Sequence, residues 1–243
     1  MQAKLRHKVS AGLMSSIPIS VRRRVGVHLG RPDSGWSLSL LRRLGFSPRS
    51  TMDVGAFLGN WARICLSVFP KTKLTCIEPQ DARQKDLQEL AEQHPNVRIL
   101  QVLLGRQERC DVPFAEIGPG SSVLLPSSGE TSKQMTTIDH LIETRVCEAP
   151  ELLKLDVQGY EMEVLEGYTR HFDACQVIQC ELSLLPLVPG APLLHDIVAY
   201  LKSRDFVMCD IDEIIHSPGD GAVWQVDALF CRIDSPLRTE RAW

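Results

Sequence analysis

Thr51-Met52-Asp53-Val54-Gly55-Ala56-Phe57-Leu58-Gly59 is a short extended run stopped by one glycine and followed four residues later by another. Beyond it Leu58, Trp61, Ala62, Cys65 and Phe69 recur at helical spacing, and Pro70 closes the segment. Strand, turn and helix are therefore predicted in that order. Glycines at such a joint let the backbone turn tightly and let a ligand approach. The helix behind them offers free N–H groups to polar or anionic atoms. The spacing is Asp-x-Gly-x-x-x-Gly, not the Gly-x-Gly-x-x-Gly of nicotinamide dinucleotide sites. A plain strand–turn–helix joint has the same outline, so the rest of the chain has to support a ligand site.

Outward from this stretch the same unit repeats. Leu74 to Ile77 is predicted as a second strand ending at Glu78-Pro79. Asp81 is placed to cap a polar helix that runs to His94, with Leu87, Leu90 and Ala91 on its apolar face. Val97 to Leu104 is predicted as a third strand, closed by Gly105. Strand–helix alternation at this spacing indicates a parallel, doubly wound α/β sheet. Residues 106–136 break the pattern. They are rich in Gly, Pro, Ser and Thr and are expected to form an inserted hairpin or lid loop beside the site. Alternation then resumes, with a helix beginning at Thr137, a fourth strand over Leu152–Val157, and a helix through Met162, Val164 and Leu165. A fifth strand, Val177–Cys180, ends at Glu181, and a helix covers Leu194–Ser203. Phe206–Ile211 and Val226–Arg232 are expected to close the sheet as an antiparallel pair. The chain thus divides into a basic, partly helical N-terminal extension over 1–49, a domain over 50–234 and a tail over 235–243. Within the extension Trp36, Leu38, Leu40, Leu41 and Leu44 suggest one short helix.

Composition narrows the function classes. Hydrophobic residues make up 44% of the 243 residues and charged ones 23%, which excludes disorder along the whole length. No apolar run approaches the ~18 residues of a spanning helix. The net charge of -3 hides an asymmetry, since residues 1–50 carry 10 Lys/Arg against the single acid Asp33. Such a basic arm suggests an anionic partner or a membrane surface, and equally a solvated terminus. Cys76, Cys180 and Cys209 lie in apolar stretches, with no Cys-x-x-Cys pair and no zinc-finger spacing among the 8 cysteines. A reduced, cytoplasmic setting is expected.

Four groups of residues carry the chemistry. Asp53 stands where a dinucleotide site wants its first glycine, and it would repel a pyrophosphate. It suits a ligand with an amino group and no phosphate, such as S-adenosylmethionine. Glu78 ends the second strand, where an acid can accept hydrogen bonds from both ribose hydroxyls; it could also simply favour the helix N-terminus that follows. Lys154 and Asp156 are two apart on the fourth strand and share a face. A charged pair at a carboxyl end is unusual in a buried parallel sheet, and ligands bind at that edge; a structural ion pair is the competing explanation. Glu161 could cap the next helix or hold Lys154. Ser121 and Ser122 follow Gly118-Pro119-Gly120 in the inserted loop, where they could bond a ligand or only shape a turn.

These blocks together resemble the FkbM family of S-adenosylmethionine-dependent methyltransferases. The resemblance rests on Asp53-Val54-Gly55-Ala56 with Gly59, Ile77-Glu78-Pro79, Thr137-Ile138-Asp139, Leu153-Lys154-Leu155-Asp156-Val157-Gln158-Gly159 with Glu161, and the closing Asp227-Ala228-Leu229-Phe230. It covers roughly residues 50–232. It implies a seven-stranded, mostly parallel Rossmann-like sheet with helices on both faces, and methyl transfer to a hydroxyl of a sugar or secondary metabolite. It also implies that Asp53, Gly55, Gly59 and Glu78 hold the cofactor and that Asp156 lies near the transferred methyl.

Methyl transfer needs an acceptor oxygen aligned with the methyl–sulfur bond and relieved of its proton. Asp156 is the first candidate for base or orienting group, with Glu181 the second. Lys154 could tune Asp156 or pair with Glu181. His171 and His195 are weaker candidates, and the remaining histidines form no constellation. Asp156 and Glu181 would supply only two ligands to a divalent cation, so no metal is expected. Base methylation of nucleic acid is disfavoured, because Asp156-Val157-Gln158-Gly159 replaces the expected Asn/Asp-Pro-Pro-aromatic block. The basic arm keeps an RNA or phosphorylated acceptor, or a nitrogen acceptor, as an alternative. A degenerate fold acting as a non-catalytic scaffold is the remaining one.

Overall fold

The computed structural model describes residues 34–125 and 132–238. The Arg22–Arg24 run, the rest of the arm up to residue 33, the loop tip at 126–131 and the last residues of the tail lie outside the described residues.

Seven strands form the main sheet. They are β1 (Ser50–Val54), β2 (Lys73–Ile77), β3 (Val97–Leu100), β7 (Leu152–Leu155), β8 (Val177–Ser183), β9 (Phe206–His216) and β10 (Val223–Arg232). Their order is β3-β2-β1-β7-β8-β10-β9. β10 runs antiparallel to both β8 and β9, and the other pairs are parallel. Three short strands, β4 (Leu103–Leu104), β5 (Arg109–Pro113) and β6 (Ser132–Thr136), form a separate small sheet.

Helices cover both faces of the main sheet and bury two apolar clusters. On one face α1 (Ser34–Arg43), α2 (Asn60–Val68) and α3 (Gln84–Gln93) enclose Leu38, Trp61, Cys65, Leu74, Leu87 and Leu90. On the other, α4 (Ile138–Glu143), α5 (Glu161–Glu166) and α6 (Leu194–Lys202) pack over Met52, Val54, Leu153, Leu155, Ile178 and Phe206. α1 precedes residue 50, yet its Leu38 and Leu41 belong to the same core as Trp61. Its Arg42 donates to the Val68 carbonyl at 2.9 Å, fixing α1 to the end of α2.

The central strand β1 is buried along its whole length although it starts Ser-Thr. Both hydroxyls are satisfied: Ser50 Oγ donates to the Ala149 carbonyl at 2.5 Å and Thr51 Oγ1 shares a hydrogen bond with Thr72 Oγ1 at 2.8 Å. Polar side chains with partners are tolerated inside a sheet.

Three local expectations are corrected. The predicted third strand, Val97–Leu104, is two strands. β3 is the outer strand of the main sheet, and the chain leaves it at Gln101 so that Leu103 and Leu104 can pair with Met135 and Thr136. Asp81 does not cap α3. It opens a single 3₁₀ turn over Asp81–Arg83, and its carboxylate takes Lys133 of β6 at 2.8 Å and Gln101. The closing antiparallel ribbon is longer than predicted, running on to His216 and starting from Val223, with bulges at Asp227/Ala228 and Leu229/Phe230 inside it. No helix among the described residues is long and apolar enough to cross a membrane.

Candidate functional site

A cavity of about 290 Å³ opens at the carboxyl ends of β1, β2, β7 and β8. Gly55, Phe57, Glu78 and Gln80 form part of its wall, and Asp156, Gln158, Tyr160 and Glu181 form another part. The inserted segment contributes Phe114, Ser121 and Val123. Parallel sheets bind ligands at this edge because strand ends and helix N-termini leave backbone groups free there.

Gly55 sits where β1 turns away from its neighbours. Its φ is +79°, and a Cβ at this position would lie 1.8 Å from the Asp156 carbonyl oxygen. The Asp156 N–H donates to the Val54 carbonyl at 3.0 Å, and the Gly55 N–H donates to the Ile77 carbonyl at 2.9 Å. The ends of β1, β2 and β7 are therefore laced together through one glycine. Gly59, the second glycine of the opening stretch, is absent from the cavity wall. It has φ +71° at the start of α2, and a Cβ there would press on Leu90 of α3 at 3.0 Å. Its role is helix packing.

Glu78 is buried and lines the cavity. Its Oε2 accepts from the Phe57 N–H at 2.8 Å and its Oε1 from the Gln80 N–H at 3.0 Å. Burial raises its pKa, and these backbone bonds act against the rise. The two bonds fix the carboxyl in one orientation and leave each oxygen a lone pair.

Asp53 does not reach the cavity. It is fully buried beneath the sheet edge and stands opposite Lys154 in the β1–β7 register. Lys154 Nζ lies 3.6 Å from Asp53 Oδ1, an ion pair beyond hydrogen-bond distance, and neither carboxyl oxygen has a hydrogen-bond partner. Burial lifts the Asp53 carboxyl to about 6, with Lys154 pulling it back. The Lys154 ammonium is itself buried. Burial opposes its charge, but Asp156 and Asp53 outweigh that and hold its pKa above the usual lysine range. Lys154 pairs with Asp156 at 3.0 Å, not with Glu181 as one expectation had it. The polar row continues into β8, where Gln179 stands opposite Lys154. Gln179 accepts from Trp61 Nε1 at 2.7 Å and donates to Ser34 Oγ at 3.0 Å and Asp212 Oδ2 at 2.5 Å.

The other expected acids meet across a residue that the sequence reading did not single out. Gln158 Nε2 donates to Asp156 Oδ1 and to Glu181 Oε2, each at 2.9 Å. Burial, then the charges of Asp156, Glu161 and Asp227, push the Glu181 carboxyl far above the carboxylate range, so it keeps its proton at neutral pH. Asp227, on β10, is lifted to about 7 by burial and by Asp156.

Glu161 neither caps a helix by its side chain in the expected way nor holds Lys154. Its Oε1 accepts from the N–H groups of Val157 and Gly159 at 3.0 and 3.2 Å, stabilising the turn that carries Gln158. Ser121 reaches the wall, but its Oγ is spent on the local turn, accepting from Ile117 N–H and donating to the Gly118 carbonyl. Ser122 is buried outside the wall and donates to the Gln158 carbonyl at 3.0 Å. Both hydroxyls give their one hydrogen to a backbone carbonyl of the loop or of Gln158. His171 and His195 also lie outside the cavity. Among the described residues no group of His, Cys, Asp and Glu side chains could hold a metal ion. The eight cysteines, Cys65 to Cys231, are free.

This strand order, with an antiparallel strand between the last two parallel ones and a cavity over Gly55 and Glu78, is that of the Rossmann-like class I methyltransferase fold, whose cofactor is S-adenosylmethionine. Residues 53–208 match the methyltransferase FkbM domain, and the chain belongs to that family. The hexuronic acid methyltransferase AglP of Haloferax volcanii is 26% identical over 166 residues, covering 64% of this chain and 68% of the relative. Among solved structures, the O-methyltransferase TomG of Streptomyces achromogenes with bound S-adenosylmethionine is similar at 13% identity, with a TM-score of 0.47 over 82% of this chain and 79% of that one. A Burkholderia thailandensis 1,6-didemethyltoxoflavin-N1-methyltransferase is similar at 13% identity, with a TM-score of 0.44 over 94% and 90%.

Proposed function

We propose that the protein transfers a methyl group from S-adenosylmethionine to a hydroxyl oxygen of a sugar or secondary-metabolite acceptor, with Asp156 as the base or orienting group. One observation carries this reading: a single cavity brings the Gly55 turn and Glu78 together with Asp156, Gln158 and Glu181. The name of the Haloferax relative, a hexuronic acid methyltransferase, supports a sugar acceptor. The cytoplasm, with the thiols reduced, is the proposed setting.

The donor half follows from shape and hydrogen bonding. The bare Gly55 backbone allows close approach, and Glu78, oriented by Phe57 and Gln80, accepts from the ribose hydroxyls. Asp53 contributes from below by pairing with Lys154, and Gly59 by letting α2 seat against α3. Once bound, the cofactor supplies a methyl carbon made electrophilic by a positively charged sulfur. The chain's own work is to orient and to accept a proton. Asp156 takes the hydroxyl proton while the new oxygen–carbon bond forms, and Lys154 beside it holds its carboxyl in place. Glu181, still protonated, offers a hydrogen bond to a second acceptor oxygen. The products are a methyl ether and neutral S-adenosylhomocysteine, with the proton on Asp156.

The test is calorimetric titration with S-adenosylhomocysteine, followed by labelled methyl transfer to a panel of neutral and acidic glycosides. Micromolar binding is expected, with loss in Glu78→Ala. Absence of binding by folded wild-type protein would overturn the donor site. Methyl label recovered on nitrogen or on RNA in place of hydroxyl oxygen would overturn the acceptor assignment.

A further inference from the structure

Gln158 is built into the site in an unusual way. Its φ is +54° and the following Gly159 has φ +95°. A non-glycine residue in the left-handed region is strained and persists only where surrounding contacts hold it. Those contacts come from three directions. Its carbonyl accepts from Ser122 Oγ at 3.0 Å, and Glu161 ties the N–H groups of Val157 and Gly159 on either side of it. Its side-chain nitrogen gives its two hydrogens to Asp156 and Glu181. Only the NH₂ end of an amide can face a carboxylate and a second acceptor at once. Without that bridge Asp156, arriving from β7, would keep only its Lys154 contact, and Glu181, from β8, would lose its tie to it.

The cavity wall has no compensating cation among the described residues. Its acidic members are Glu78, Asp156 and the protonated Glu181, and the nearby Lys154 lies beneath the wall, already paired with Asp53 and Asp156. A pocket lined in this way favours a positive centre in its ligand, because a low-dielectric wall strengthens the attraction.

We propose that Gln158 is a positioning residue: by bridging Asp156 and the protonated Glu181 it holds the Asp156 carboxyl on the cavity wall, where it favours a donor with a positive centre over the same molecule without one. This rests on the donor site proposed above. It gives the wall a second use, because methyl transfer turns a charged sulfonium into a neutral thioether, and the spent product is then held less tightly than the fresh donor.

The experiment needs no acceptor. Affinities of S-adenosylhomocysteine and of sinefungin, which carries an ammonium-bearing carbon in place of the sulfur, are measured by calorimetry at pH 7. Wild-type protein is expected to prefer sinefungin by about tenfold or more. In Gln158→Met, similar in size but without donors, the preference falls to about twofold or less while S-adenosylhomocysteine binds within about twofold of wild type. Gln158→Asn suits the left-handed backbone but is one carbon short of bridging both acids, and should give an intermediate ratio. Equal wild-type affinity for the two ligands, or an unchanged ratio in both variants, overturns the proposal and leaves the donor site standing. Loss of S-adenosylhomocysteine binding in both variants overturns it too, by making Gln158 a structural residue only. Failure of folded wild type to bind either ligand fails the donor site itself.

Discussion

The two halves of the cavity are made of different material. Between β1 and β2 the wall is fixed by backbone groups, the Gly55 turn and the Phe57 and Gln80 amides, which hold one acid. Between β7 and β8 it is side chains, Asp156, Gln158 and Glu181, converging from separate segments. A backbone wall changes only if the fold moves, because the space beside Gly55 is already filled by the Asp156 carbonyl. A side-chain wall changes one substitution at a time. The lesson is that donor recognition resists drift on such a scaffold while the acceptor chemistry stays adjustable.

If this contrast is right, substitutions in the β7–β8 half should damage turnover and spare binding of the neutral S-adenosylhomocysteine. Asp156→Asn is the largest case. Methyl transfer should fall by about 10³-fold, within the range for losing a general base, with S-adenosylhomocysteine affinity almost unaltered. Equal losses in both would erase the distinction. Gly55→Ala should do the reverse and damage the scaffold, costing about 3 kcal/mol or more in unfolding free energy, because it forces both a backbone clash and a positive φ. Chemical denaturation would measure it. Glu78→Gln keeps the shape but weakens acceptance, and calorimetry should show donor affinity down by about tenfold, the worth of one hydrogen bond to a charged group.

The acids also predict a pH dependence of stability. Asp53 is raised from 3.8 to about 6, Asp227 from 3.8 to about 7 and Glu161 from 4.5 to about 7, while Glu181 is raised further still. In each the native state binds the proton more tightly than the unfolded chain. Their contribution is thus complete below about pH 4 and is lost as pH rises through 6 to 7, and for Glu181 beyond. Melting temperature of the ligand-free protein should fall between pH 5 and 9, and Glu181→Gln should flatten the alkaline part of that fall. A rising curve would contradict the buried, raised acids. The smallest effect belongs to Ser121→Ala. Its hydroxyl serves a turn, so the loss should be about 1 kcal/mol of stability, with donor affinity within about twofold.

The same contrast explains what could be read from the chain. The order of strands, Gly55, Glu78 and Asp156 were legible because a strand-ending glycine and a strand-ending acid have local signatures. The second partner of Lys154 was not, since Asp53 lies about a hundred residues away and the two meet only through the β1–β7 register. A signal existed: each is a charge in an apolar strand, two places before the residue at the cavity edge. Gln158 was invisible for a further reason, as its importance lies in a left-handed backbone and a bridge between two chain segments. The roles of Ser121 and Ser122 stayed open in sequence because a loop serine shaping a turn and one facing a ligand look alike there. The break between β3 and β4, at Gln101, was hidden by a mostly apolar stretch that serves two sheets.

The contact between Gly55 and the Asp156 carbonyl also bears on inheritance. A segment from a relative with a different acceptor, spliced in over β7 and β8, would bring its own path for the residue after the strand. Unless that path left the same space over Gly55, the hybrid would lose its donor pocket along with the old acceptor. The unit that can be exchanged between such proteins is therefore a pair of strand ends, and a chimera that keeps them together is the one expected to survive.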